Sequence, residues 1–119
     1  MCQAKIEAKK WNPESERDFW WVNHVLTANV EVNILRVRIR EMQGGHSVPE
    51  EKIRTRYERA LKLIPELTAA CDMLHIYDNT IEPQRIFKKR KTKYYCWPNK
   101  RWDITAITGL TGVSKFEEV

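Results

Sequence analysis

The chain has 119 residues, which gives room for one domain spanning 1–119, since two cores sharing that length would each be marginal. An apolar fraction of 42% with five Trp excludes a disordered chain, and no apolar run is long enough to span a bilayer. The net charge of +5 is uneven: Gln84 to Trp102 holds eight Lys or Arg and no acid, leaving −3 for the remainder, so that segment suits an anionic partner or plain solvation.

In chain order, residues 3–10 are helix-friendly and are broken by Asn12-Pro13. Phe19 to Leu26 is aromatic, β-branched and too short for a core helix, so it is predicted as a buried strand. Val30 to Met42 is predicted as a helix, with Val32, Leu35, Ile39 and Met42 forming its apolar stripe and Gly44-Gly45 stopping it. A second helix is predicted from Ser47, which can cap its N-terminus with Glu50 completing a capping box. Its apolar stripe is Ile53, Tyr57, Ala60, Leu61 and Ile64, and Pro65 is predicted to break or kink it. Met73 to Tyr77 is predicted as a second buried strand, ended by Asp78-Asn79. Arg85 to Lys89 and Lys93 to Trp97 form a possible strand pair, Trp102 to Gly109 has too little pattern to assign, and Phe116 to Val119 is expected to fray. Strands separated by helices predict an α/β layer with parallel pairing and a short β-rich tail.

The opening Met1-Cys2-Gln3-Ala4-Lys5 has no apolar signal-peptide core. Cys2, Cys71 and Cys96 form no CxxC pair, so neither a disulfide framework nor a zinc site is indicated. A reduced, cytoplasmic setting without membrane attachment is expected.

Four arginines flank one turn. Arg36 and Arg40 lie on the helix entering Gly44-Gly45-His46, and Arg56 and Arg59 on the helix leaving it. Guanidinium forks suit polyphosphate oxygens, and the helix N-terminus at Ser47 favours an anion. Arginines on the polar faces of two amphipathic helices are usually solvated, or paired with nearby acids, here Glu41, Glu50, Glu51 and Glu58. His46 beside two glycines fits a capping or packing role as well as a catalytic one.

The spelling Asn33-Ile34-Leu35-Arg36-Val37, Arg40, Gly44-Gly45-His46-Ser47-Val48-Pro49-Glu50-Glu51-Lys52-Ile53 and Arg56-Tyr57-Glu58-Arg59 resembles the zeta-toxin family of small P-loop kinases, also labelled predicted ABC-type ATPases. The resemblance covers residues 19–102 and includes a strand ending in Asp78-Asn79-Thr80, with Thr80 where the family has Ser and Glu41 where it has an apolar residue. It implies a partial P-loop-kinase-like α/β layer whose G-G-H helices act as a lid over the phosphates of ATP with Mg. Arg40 and Arg56 would make those contacts, with Arg36, Arg59, His46, Asp78 and Asn79 as further cofactor-binding candidates.

The family's activity is ATP-dependent phosphotransfer, to a nucleotide-sugar such as UDP-N-acetylglucosamine, within toxin–antitoxin systems. A P-loop needs G-x-x-x-x-G-K-[ST], and none of the four glycines, Gly44, Gly45, Gly109 and Gly112, opens one. The family's catalytic acid has no match either, so no catalytic residue is assigned. A nucleotide-phosphate-binding part of a kinase, inactive alone, is therefore expected, with a P-loop-bearing complementary chain or self-association near Trp20 and Trp21. The alternatives are a regulatory or structural binding protein on the same fold, and a basic nucleic-acid-binding module built on Lys88 to Tyr95 and Trp97. The basic hairpin reads as an exposed edge ahead of a nucleic-acid surface.

Overall fold

The computed structural model describes residues 3–12 and 17–118, with side chains from Trp20 onward. The elements are β1 (Gln3–Asn12), β2 (Arg17–Leu26), α1 (Val30–Met42), α2 (Glu50–Ala70), β3 (Met73–Asp78), β4 (Gln84–Arg90), β5 (Lys93–Cys96) and α3 (Ile104–Thr111). Spatial order in the sheet equals chain order. The β2–β3 pair is parallel and the other three are antiparallel. A parallel pair needs a long crossover, and α1 with α2 supplies it. The result is an α/β fold in which β2 to β5 form the mixed sheet that the helices cover and β1 adds an outer strand.

Strand alternation sends one row of side chains to the helices. Val22 and Leu26 of β2, Leu74 and Ile76 of β3, and Ile86 and Phe87 of β4 bury against Ile64 of α2 and Ile107 and Leu110 of α3. His24 lies in the β2 row with no exposed surface, and neither ring nitrogen has a partner among the described residues. Burial pushes its pKa down to about 4, because a charged imidazole would lose its hydration there. Lys89 is buried too, but its ammonium donates to the Thr68 carbonyl at the end of α2. It thereby occupies a carbonyl that the helix terminus leaves open.

Several sequence expectations are corrected. Residues 3–12 form a strand, because pairing along β2 satisfies their backbone, and local helix preference is a weak prior. Pro13 lies outside the described residues. On α1 the buried residues are Asn33, Ile34 and Val37, whereas Leu35, Ile39 and Met42 are exposed. The helix is rotated by its contact with α2, where Ile34, Val37 and Ile53 make a small second core with Val30 and Val48. The capping box does not form: α2 begins at Glu50 with Pro49 at the cap position and no side-chain cap bond.

Pro65 lies inside an unbroken α2. Its exposed ring faces away from the core, while Ile64 and Thr68 are buried beside it, so packing carries the helix past the missing bond. The unassigned Trp102 region holds α3, capped by the Asp103 side chain accepting from the Ala106 N–H. The end of the chain does not fray where it is described. Phe116 meets Phe87 edge-on at 6.4 Å, and the Glu117 N–H donates to the Tyr94 carbonyl at 2.7 Å.

Two measurements check this core. Because the unfolded chain takes up a proton that folded His24 refuses, stability is expected to fall as pH drops from 6.5 toward about 4. Relative to a His24→Leu variant, the wild type should lose about 2 kcal/mol between about pH 7 and about pH 5, read by urea unfolding. Phe116→Ala should lower stability by about 1–2 kcal/mol; an unchanged midpoint would return the segment to a frayed tail.

Candidate phosphate-binding pocket

The turn between α1 and α2 is built from backbone constraints. Gly44 takes φ +93, a left-handed value that favours glycine. The Gly45 N–H donates to the Arg40 carbonyl at 2.8 Å, and a Cβ at Gly45 would sit 2.8 Å from that same oxygen. Glu41 then staples the turn. Its Oε1 accepts from the Val48 N–H at 2.9 Å and from Arg38 Nη1 at 2.9 Å, while Arg38 also donates to the Val48 carbonyl at 3.2 Å. The Val48 N–H, followed by Arg38, holds the Glu41 carboxyl below its ordinary pKa. Glu41, one of the two residues at which the sequence departs from the pattern it resembles, is thus the clamp of this turn.

Inside the hairpin lies a cavity of about 240 Å³. Val37, Val48 and Ile53 form an apolar floor, and Asn33 and Tyr57 supply polar walls. Both walls are tied to the end of β2. Thr27 Oγ1 donates to Asn33 Oδ1 at 2.7 Å, and the Tyr57 hydroxyl donates to the Thr27 carbonyl at 2.8 Å. Gly45, Arg40, His46 and Arg56 complete the lining, which contains no carboxylate among the described residues.

The arginines of the hairpin divide into two groups. Arg36 donates to the Asn79 and Thr80 carbonyls at 2.7 and 2.8 Å, so it braces the fold and does not line the cavity. Arg38 is held by Glu41, and Arg54 bridges Glu31 and Glu50. Arg40, Arg56 and Arg59 have no ion pair among the described residues. Two of the acids considered as partners for the four turn arginines, Glu41 and Glu50, are therefore engaged elsewhere. Arg59 stands apart from the cavity, in an open depression that it shares with Arg56 and Lys52.

Asp78 and Asn79 lie at the C-terminal end of β3 but outside the cavity lining. Asp78 is fully buried; its Oδ2 accepts from Arg101 Nε at 2.8 Å and its Oδ1 from the Thr80 N–H at 3.1 Å. The Asn79 N–H donates to the Leu26 carbonyl at 2.7 Å. The structure thus brings Arg40, His46 and Arg56 together, and places Arg36, Asp78 and Asn79 in a neighbouring structural knot. Sequence reasoning passed over Asn33 and Tyr57 as site residues: Tyr57 reads as part of the apolar stripe of α2, and Asn33 enters only as the opening residue of the quoted motif. It also passed over Arg38, whose only signal is Glu41 three residues on.

Compared with known proteins, the chain matches no protein family, no curated protein and no solved structure. Among the described residues, no helix is long and apolar enough to cross a membrane.

Gly45→Ala should force the turn open and lower stability by about 1–3 kcal/mol, measured by urea unfolding. An unchanged midpoint would show that the close approach at Arg40 is not needed.

Proposed function

We propose that the α1–α2 hairpin is a phosphate-binding lid for ATP, within a partial kinase layer of zeta-toxin type. The carrying observation is that two guanidiniums without acidic partners, Arg40 and Arg56, reach one pocket from two helices. Arginines held by carboxylates are already spent as anion ligands, whereas these two keep their donors available for bidentate phosphate contacts. The apolar floor lowers the local dielectric, which strengthens each such contact. A cavity of about 240 Å³ accommodates a phosphate chain better than a whole nucleoside triphosphate, as a lid over phosphates requires.

In phosphoryl transfer such arginines stabilise charge spreading over the transferred group. Arg40 and Arg56 take that role, with His46 beside them at the mouth. The lining carries no carboxylate, so this pocket offers Mg no ligand of its own, and the ion would travel on the triphosphate. A P-loop-bearing partner segment supplies the cradle and the chemistry; the acceptor is a nucleotide-sugar on the family resemblance. Arg36, a further candidate on the resemblance, makes no phosphate contact in this reading, since both carbonyls it serves are structural.

Titration with a fluorescent ATP analogue tests this. Arg40→Ala and Arg56→Ala should each weaken binding about tenfold or more, since hydrogen bonds to charged groups contribute roughly 1.5–3 kcal/mol. Arg54→Ala, which removes an exposed pair outside the pocket, should leave affinity unchanged. A chain with no affinity for the analogue, alone or with a P-loop segment added in trans, sinks the proposal.

A further inference from the structure

The sheet has a second face, turned away from the helices, and its composition is unlike that of a core. Cross-strand pairing sets Asn23 opposite His75, His75 opposite Lys88, Lys88 opposite Tyr95, and Tyr77 opposite Arg85. These residues alternate with Leu74, Ile76 and Phe87, which belong to the helix-covered core. None of them joins either apolar cluster.

The face is paved with rings and cations. Trp21 lies 6.0 Å from His75, and His75 lies 6.2 Å from Tyr77. Tyr95 stacks on Trp97 at 6.4 Å and 23°. Arg85 sits 4.2 Å over the Trp97 ring and Lys88 sits 5.9 Å over Tyr95. Arg90 and Lys93 stand directly opposite each other beside the turn that closes the hairpin, a like-charge pair that disfavours the sheet unless an anion lies between them. None of these four cations has an ion pair among the described residues. Trp21 Nε1, Asn23 Oδ1 and His75 Nδ1, on the same face, are buried polar atoms without a hydrogen-bond partner among the described residues.

A covering protein surface would have to desolvate four cations or bring acids to match them. Flat aromatic rings bordered by unpaired cations fit an occupant that is itself flat, aromatic and anionic. Duplex nucleic acid hides its base faces, whereas a single strand presents them for stacking. We propose that this face binds single-stranded nucleic acid, with bases stacking on the half-buried rings of Tyr77, Tyr95 and Trp97 while Arg85, Lys88, Arg90 and Lys93 neutralise phosphates. The basic hairpin, an exposed edge on sequence grounds, becomes a site because β2 and β3 extend it with Trp21, His75 and Tyr77. It lies on different elements from the α1–α2 pocket and does not depend on it.

Fluorescence anisotropy with labelled dT and rU oligonucleotides, and a duplex of equal length, tests the proposal. Both single strands should bind, the duplex at least about tenfold more weakly, and preference between the two strands reports DNA against RNA. The logarithm of the binding constant should fall with the logarithm of salt with a slope of about −3 for four phosphate contacts. Trp97→Ala and Tyr95→Ala should each weaken binding about tenfold, with Trp97→Phe restoring most of it and ATP-analogue binding unchanged. Lys88→Glu, which leaves the rings in place, should reduce both affinity and salt slope, and serves if a ring variant fails to fold. Absence of binding at low salt, equal affinity for duplex, or Trp97→Ala that binds as wild type would overturn the proposal. So would a Trp97→Ala variant that dissociates a dimer while keeping oligonucleotide affinity, since a second copy would then be the occupant.

Discussion

A carboxylate with no exposed surface must find its donors inside the protein or destabilise it, and the arrangement around Asp78 follows from that demand. Arg101, from the segment after β5, and Thr80 together serve its two oxygens. Thr80 Oγ1 also accepts from the Ala28 N–H, and Arg36 reaches in from α1 to the next two carbonyls. One buried charge therefore ties the ends of β2 and β3 to the start of α1 and to the C-terminal segment. Thr27, adjacent to Ala28, carries the connection onward to Asn33 and Tyr57, the polar walls of the hairpin cavity.

That knot explains why the arginines of the hairpin are not equivalent. Arg36, Arg38 and Arg54 position the two helices, and their carbonyl and carboxylate partners leave them little capacity for a ligand. Arg40 and Arg56 carry no ion pair among the described residues, while Glu41 and Glu50 are committed to Arg38 and Arg54. Two uncommitted guanidiniums on one pocket are the physical basis of the proposal that it takes phosphate. The sheet's opposite face concentrates cations by a different route, through strand pairing, and places aromatic rings between them.

Much of the fold is legible in the sequence where local pattern and tertiary environment agree. Phe19 to Leu26 and Met73 to Tyr77 are short apolar runs that become the adjacent parallel strands β2 and β3. Glycines at 44 and 45 mark the turn for a reason the structure supplies, a left-handed φ and a close carbonyl. Where packing decides, the pattern misleads. The stripe through Leu35, Ile39 and Met42 is as regular as a buried one, yet α1 turns Ile34 and Val37 inward because Ile53 and Val48 meet it there. Pro65 reads as a break because the missing N–H is local information, while the anchoring by Ile64 and Thr68 is not. Of the site, Arg40, His46 and Arg56 were legible as a cluster; the separation of Arg36 from them was not, since it depends on carbonyls 43 and 44 residues away.

The single parallel junction between β2 and β3 has a consequence for how the chain reaches this state. The β3–β4–β5 meander joins neighbours in sequence through short turns, so its closure entropy is small. The β2–β3 pair must close across both crossover helices, and contacts of such long sequence separation slow folding. The meander and α2 are therefore the natural early nucleus, with β2 added late. Until β2 arrives, the β3 edge offers its backbone to any free strand, so the interval before that closure is when the nascent chain has most need of a chaperone.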